Sequence, residues 1–209
     1  MLQTTAYQFI ALLVILDPAG TATIFAGLTH GATPAQRQRL ALRGVGIAGV
    51  TLLLFAFAGE ILLRALGIGL PAFRIAGGVL LLLLAIDMLF AHRLGFQRLT
   101  EGENREAGRA DDISVFPLAI PLIAGPGALT TMVLLMGRTG GELTAQMTLI
   151  GVLVVVLVIT LGVLLAANRV VSVLGQTGVN VVSRILGILL AALAVQLILD
   201  GVNAGLVLR

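Results

Sequence analysis

Of the 209 residues, 58% are hydrophobic and 11% charged, and the mean hydropathy is +1.10, which excludes a soluble domain and describes a polytopic membrane protein. The absence of cysteine excludes disulfide scaffolds, thiol redox relays and thiolate metal sites. The net charge of +3 does not point to nucleic acid, because the basic residues are all arginine and gather at the ends of apolar runs.

A spanning helix needs about 20 mostly apolar residues. Six stretches qualify: 5–28, 45–66, 74–91, 113–136, 147–168 and 184–202. The first lacks a basic leader and an A-x-A-like cleavage site, so it reads as a retained span rather than a signal peptide. It is interrupted at mid-membrane depth by Asp17-Pro18-Ala19-Gly20-Thr21-Ala22-Thr23. In the second span, Glu60 and Arg64 stand four apart, in the order that favours a helix ion pair. The third span opens on Arg74-Ile75-Ala76-Gly77 and carries Asp87 near its far end. Residues 92–112 mix four arginines with five acids and read as a solvated cytoplasmic linker between halves 1–91 and 113–209. The fourth span is interrupted in its turn by Gly125-Pro126-Gly127-Ala128-Leu129-Thr130-Thr131. The fifth is uncharged and apolar all round, a face for lipid or for a second protomer. The sixth opens on Arg184-Ile185-Leu186-Gly187 and holds Gln196, a candidate for an interhelical hydrogen bond, and Asp200.

The halves repeat. Pro126 and Thr131 follow Pro18 and Thr23 by 108 residues, and Arg184 follows Arg74 by 110. Three spans per half is an odd number, so the second half enters the bilayer from the opposite face. The fold expected is therefore an all-α membrane protein of six transmembrane helices. These form two inverted three-helix repeats, the first helix of each being broken at mid-membrane. Arginines 37, 39, 43, 93, 98, 105, 109, 169 and 184 lie on one side and 64, 74, 138 and 209 on the other. That bias places the former in the cytoplasm and both termini outside.

Broken backbone at membrane depth survives only against protein or a polar cavity, and a matched pair of breaks points to a transport site. Asp17 and Pro18 read as the cap and first residue of a restarted half-helix, beside the cavity that the break requires. There Asp17 is placed to hold a cation or an ammonium. At the second break Gly125 replaces the acid, so the half-helix beginning at Pro126 offers free N–H groups to a carboxylate, with Gly127 and Ala128 in its first turn. The plainer alternative for these glycines is close helix packing. Gly20, Thr21, Thr23, Thr130 and Thr131 complete the candidate binding set; bonding back to freed carbonyls is the favoured role for the threonine hydroxyls. Arg74, Arg184 and Asp87 are candidates for gating or coupling. Snorkelling is the plain reading of the arginines, and a water-accessible interface position that of Asp87. His30 and His92 form no metal motif.

These motifs, together with Phe73-Arg74-Ile75-Ala76-Gly77-Gly78, Pro117-Leu118-Ala119-Ile120-Pro121 and Ser183-Arg184-Ile185-Leu186-Gly187, make the chain similar, over nearly its whole length, to the MarC family of bacterial inner-membrane proteins. The resemblance implies six spans and kinship with LysE-like exporters of amino acids and other small solutes or ions, and it leaves the substrate open. It also implies an inner-membrane location. The family pattern after Asp-Pro-x-Gly often has Asn and then Pro; here Thr21 and Thr23 stand in those places.

The function expected is secondary transport, as an exporter of a small polar solute such as an amino acid, by alternating access. The alternatives are an ion channel or ion transporter, or a non-transporting membrane partner. No cofactor is expected, and a proton or sodium ion as coupling ion is left open. Enzyme chemistry is not expected: there is no histidine–glutamate metal motif, and Ser114, Ser172 and Ser183 lie in no G-x-S-x-G context. The partners expected are the bilayer, the solute and, through the fifth span, a second protomer.

Overall fold

The computed structural model describes residues 2–90 and 113–207. These residues form helical elements and no strand: α1 (Leu2–Leu16), α2 (Pro18–Leu28), α3 (Pro34–Ala65), α4 (Leu70–Leu89), α5 (Ser114–Ile123), α6 (Pro126–Gly137), α7 (Leu143–Leu165) and α8 (Ala167–Val207). Five candidate spans are long and apolar enough to cross a membrane: 2–28, 34–65, 70–89, 143–165 and 177–206. A sixth is added if α5 and α6, bent by 58° at their junction, count as one. The expected linker 92–112 lies outside the described residues, and so do His92 and Arg93.

Local chemistry sets the helix ends. Asp17 breaks α1 from α2, and Pro18 supplies the first helical position of α2. Thr33 and Gln36 form a reciprocal capping box at the start of α3. This helix begins eleven residues before the expected span, so Arg37, Arg39 and Arg43 stand on a helix rather than in a loop. The expected loop near residue 169 contracts in the same way: α8 starts at Ala167 and changes direction only at Gly175 (φ +62°). Positive φ at that point is open to glycine at little steric cost. Arg184 is therefore an exposed residue inside a long helix, not a helix start.

The largest departure is α5. Residues 113–125 were expected to be ordinary helix up to the break at Gly125. Instead Phe116 (φ −126°, ψ 127°) and Ile120 (φ −132°, ψ 122°) are extended, and the bonds at the ends of the element reach five residues back, from Leu118 N–H to Ile113 O and from Ala124 N–H to Ala119 O. The cause is Pro117 and Pro121. Each removes an N–H donor and pushes the residue before it out of the α region.

Helix packing follows the small residues. Gly44, Gly49 and Gly59 line one side of α3, against Leu118 of α5, Leu157 of α7 and Val133 of α6 respectively. α4 and α8 form the longest seam: Gly78 lies against Ala194 and Ile198, Gly187 against Ala85 and Met88, and Gly201 against Pro71 and Ile75. The register rises in one helix as it falls in the other, so the two run antiparallel. Leu149, Leu153, Val156, Thr160 and Leu164 bury one face of α7, while Val154, Val155 and Val158 remain exposed on another. Apolar groups facing outward at this density are what a bilayer accepts and water does not.

Candidate functional site

Asp17 closes the first break. Its backbone is left-handed (φ 39°, ψ 69°), and its Oδ1 accepts the Gly20 N–H at 3.1 Å, capping α2. A Cβ on Gly20 would overlap this carboxylate, so glycine is what allows the acid to fold back over the helix start. The Thr21 hydroxyl donates to Leu16 O at 3.2 Å and the Thr23 hydroxyl to Ala19 O at 3.1 Å, so carbonyls next to the break keep partners. Asp17 is buried, and its Oδ2 has no hydrogen-bond partner among the described residues.

The second break carries no acid. Gly125 (φ −73°, ψ 171°) caps α6 without a side-chain bond, and Pro126 opens the helix. Among the first-turn amides, the Gly127 and Ala128 N–H groups have no intrahelical acceptor to reach. A Cβ on Gly125 would come within 2.6 Å of Pro121 O, and one on Gly127 within 2.6 Å of Leu81 Cδ2. Both glycines therefore serve close packing, and both also border the cavity described next.

A cavity of about 130 Å³ joins the two breaks. Asp17 and Thr21 stand on one side; Pro121, Gly125, Pro126, Gly127 and Ala128 stand on the other. Leu80, Leu83 and Leu84 of α4, with Ile15 and Ile24, supply apolar walls. Residues 108 apart in sequence thus share one space, with a carboxylate at one side and helix-start amides at the other.

Other expected site residues fall elsewhere. Pro18 and Gly20 shape the first break without lining the cavity, and Thr23 also lies off it. Thr130 bonds back to Pro126 O at 2.8 Å and packs its methyl against Gly77. Thr131 lines a second, smaller void, and its hydroxyl is buried without a hydrogen-bond partner. Asp87 stands in the last turn of α4, at the end of the span as expected, but it is 1% exposed and so lacks the expected access to water: neighbouring helices, α8 among them, cover this turn. Arg74 stands in the first turns of α4 against Gly201, and its Nε is buried without an acceptor.

The walls of the cavity are not marked in the sequence as the breaks are. Pro121 reaches the cavity because the Pro-x-x-x-Pro spacing at 117–121 unwinds α5, a signal present in the sequence. Leu80, Leu83 and Leu84 sit in a uniform run of leucines, where nothing separates a cavity wall from a lipid face. At the other end of α6, Arg138 donates to Asp200 Oδ2 at 2.6 Å. Gln196 bonds within its own helix, to Asp200 Oδ1 at 2.8 Å, and not between helices as expected. Glu60 and Arg64 form the expected pair at 2.6 Å.

The family model described as "MarC family integral membrane protein" matches residues 2–206. The chain is 35% identical to a UPF0056 membrane protein of Methanocaldococcus jannaschii over 98% of both sequences. It is 34% identical to one from Pyrococcus abyssi, over 97% of this chain and 96% of the relative. It is likewise 34% identical to the UPF0056 membrane protein YhcE of Escherichia coli, over 93% of this chain and 90% of the relative. No solved structure matches the chain.

Proposed function

The chain belongs to the MarC family of integral membrane proteins, and from that premise we propose that it is a secondary transporter, an exporter of a small polar solute of amino-acid size. The observation that carries this reading is the shared cavity: Asp17 on one side, the uncapped start of α6 on the other. An ammonium suits the carboxylate, and a carboxylate suits free N–H groups at a helix N-terminus. A space of about 130 Å³ is close to the ~150 Å³ that accepts benzene in an engineered apolar cavity. That favours solutes of about six heavy atoms, the scale of the smallest amino acids.

The mechanism proposed is alternating access, with two inverted three-helix halves rocking about the cavity. The antiparallel α4–α8 seam, in which Gly78 and Gly187 each receive the partner helix, supports that arrangement. The reading is of a carrier and not an enzyme, in the plasma membrane, with both termini outside; a proton or sodium ion coupled through Asp17 is part of the same proposal. The partners proposed are the bilayer, the solute and, through the exposed face of α7, a second protomer.

The test is thermal stabilisation by a panel of small amino acids, other zwitterions and inorganic ions. With neither tryptophan nor cysteine in the chain, melting is best followed by size-exclusion chromatography after heating. Stabilisation by a small zwitterion that disappears in Asp17→Asn is the expected result. Stabilisation by inorganic ions alone would turn the reading to ion transport. Zwitterion stabilisation unchanged by the substitution would sink the assignment of Asp17.

A further inference from the structure

The Asp17 cavity has a smaller neighbour toward the end of the bundle where α6 finishes. Ile15 lines the cavity and also lines this second void, of about 10 Å³, whose walls include Tyr7, Thr131 and Arg138. A space of that size holds at most one water. On its wall, the Arg138 guanidinium donates to Asp200 and lies 5.9 Å from the centre of the Tyr7 ring, within cation–π reach. The Thr131 hydroxyl, buried and unpartnered, is a further polar group on the wall of this void.

We infer that the solute path leads from the Asp17 cavity past this void, its neck, and that the Arg138–Asp200 pair is the gate at that end, shut in the conformation described. The proposal rests on the transporter reading. Two half-helices lead from the cavity to the pair. α1 carries Tyr7 ten residues before Asp17, and α6 carries Arg138 at its C-terminal cap, twelve residues after Pro126. A movement of either rod at the solute is a movement at the gate. The pair is suited to opening: both side chains are about one-third exposed, where an ion pair is weak. Opening does not strand the carboxylate, because the Gln196 amide still donates to Asp200 Oδ1 at 2.8 Å.

The test exploits the cysteine-free sequence. Thr131→Cys, in the full-length protein in sealed vesicles, reports access to the neck through its labelling rate with a membrane-impermeant thiol reagent applied from the Arg138 side. Asp200→Asn and Arg138→Gln are each expected to raise that rate up to about fivefold, the factor given by losing ~1 kcal/mol of preference for the closed state. Glu60→Gln, which breaks the exposed pair on α3, leaves it unchanged. Unaltered labelling in both folded single variants would overturn the gate. If either fails to fold, the charge-swapped Arg138→Asp/Asp200→Arg double decides: labelling as slow as with the native pair supports the gate, and fast labelling overturns it. Solute stabilisation is measured on the same proteins. Its absence alongside faster labelling refutes the transporter reading alone, and its presence with unchanged labelling refutes the gate alone.

Discussion

At the scale of single residues, the first break depends on a pair, Asp17 and Gly20. A left-handed backbone costs an ordinary L-residue about 1–2 kcal/mol, while aspartate and asparagine tolerate it best. Asp17→Asn is therefore expected to keep the fold, and Asp17→Ala to lose both the cap and the tolerated backbone, at about 1–2 kcal/mol. Gly20→Ala should resemble Asp17→Ala, because the added methyl takes the carboxylate's place. Gly27→Ala on the same helix, with open space around it, should be neutral or slightly stabilising. Melting temperatures of the four variants check this ranking; a Gly20→Ala protein as stable as Gly27→Ala would contradict the cap. The Asp-Pro-x-Gly motif made this site legible, because a cap and an N1 proline act locally. The opposing Leu80, Leu83 and Leu84 were not legible, because their role comes only from which side of α4 meets the cavity.

At the scale of elements, apolar length revealed the spans, but capping and proline chemistry set their limits. The start of α3 was written in Thr33-Pro34-Ala35-Gln36, a capping signal that outweighs the arginines just after it. The unwinding of α5 was written in Pro117 and Pro121, where hydrophobicity alone reads as helix. The α4–α8 seam gives a sharper test of packing. A methyl on Gly78 would approach Ala194 O at 2.8 Å and Ile198 Cγ1 at 2.6 Å, so Gly78→Ala should cost about 1–3 kcal/mol. Gly46→Ala on α3 meets nothing within 4 Å and serves as the control. The two are compared by the fraction of protein that stays monodisperse after heating. Equal loss in both would mean that the seam is not close-packed.

At the scale of the whole molecule, the antiparallel α4–α8 seam bears on whether α5 and α6 cross the bilayer or turn back: a turn back would set the spans of α4 and α8 parallel, so a crossing is expected. α6 alone is about 18 Å long at 1.5 Å per residue, too short for a hydrocarbon core of about 30 Å. α2 has the same shortage and makes it up with α1, and by analogy α5 supplies the rest for α6. A crossing gives six spans and is what inverted halves demand; a re-entrant turn gives five and forbids them. Two loops separate the cases, one at His30 between α2 and α3, the other at Gly140 between α6 and α7. Single cysteines at these positions, in a chain with none of its own, are expected to label from opposite sides of the membrane. The arginine bias puts His30→Cys in the cytoplasm and Gly140→Cys outside. A re-entrant α5–α6 would leave Gly140→Cys on the side of residue 113 and hence with His30→Cys. The two halves would then be parallel in sequence only, and a rocking motion about a pseudo-twofold axis would have no structural basis. Opposite labelling would instead bring the half-helix starts at Pro18 and Pro126 in from opposite faces, so that with both breaks on one cavity one solute meets both.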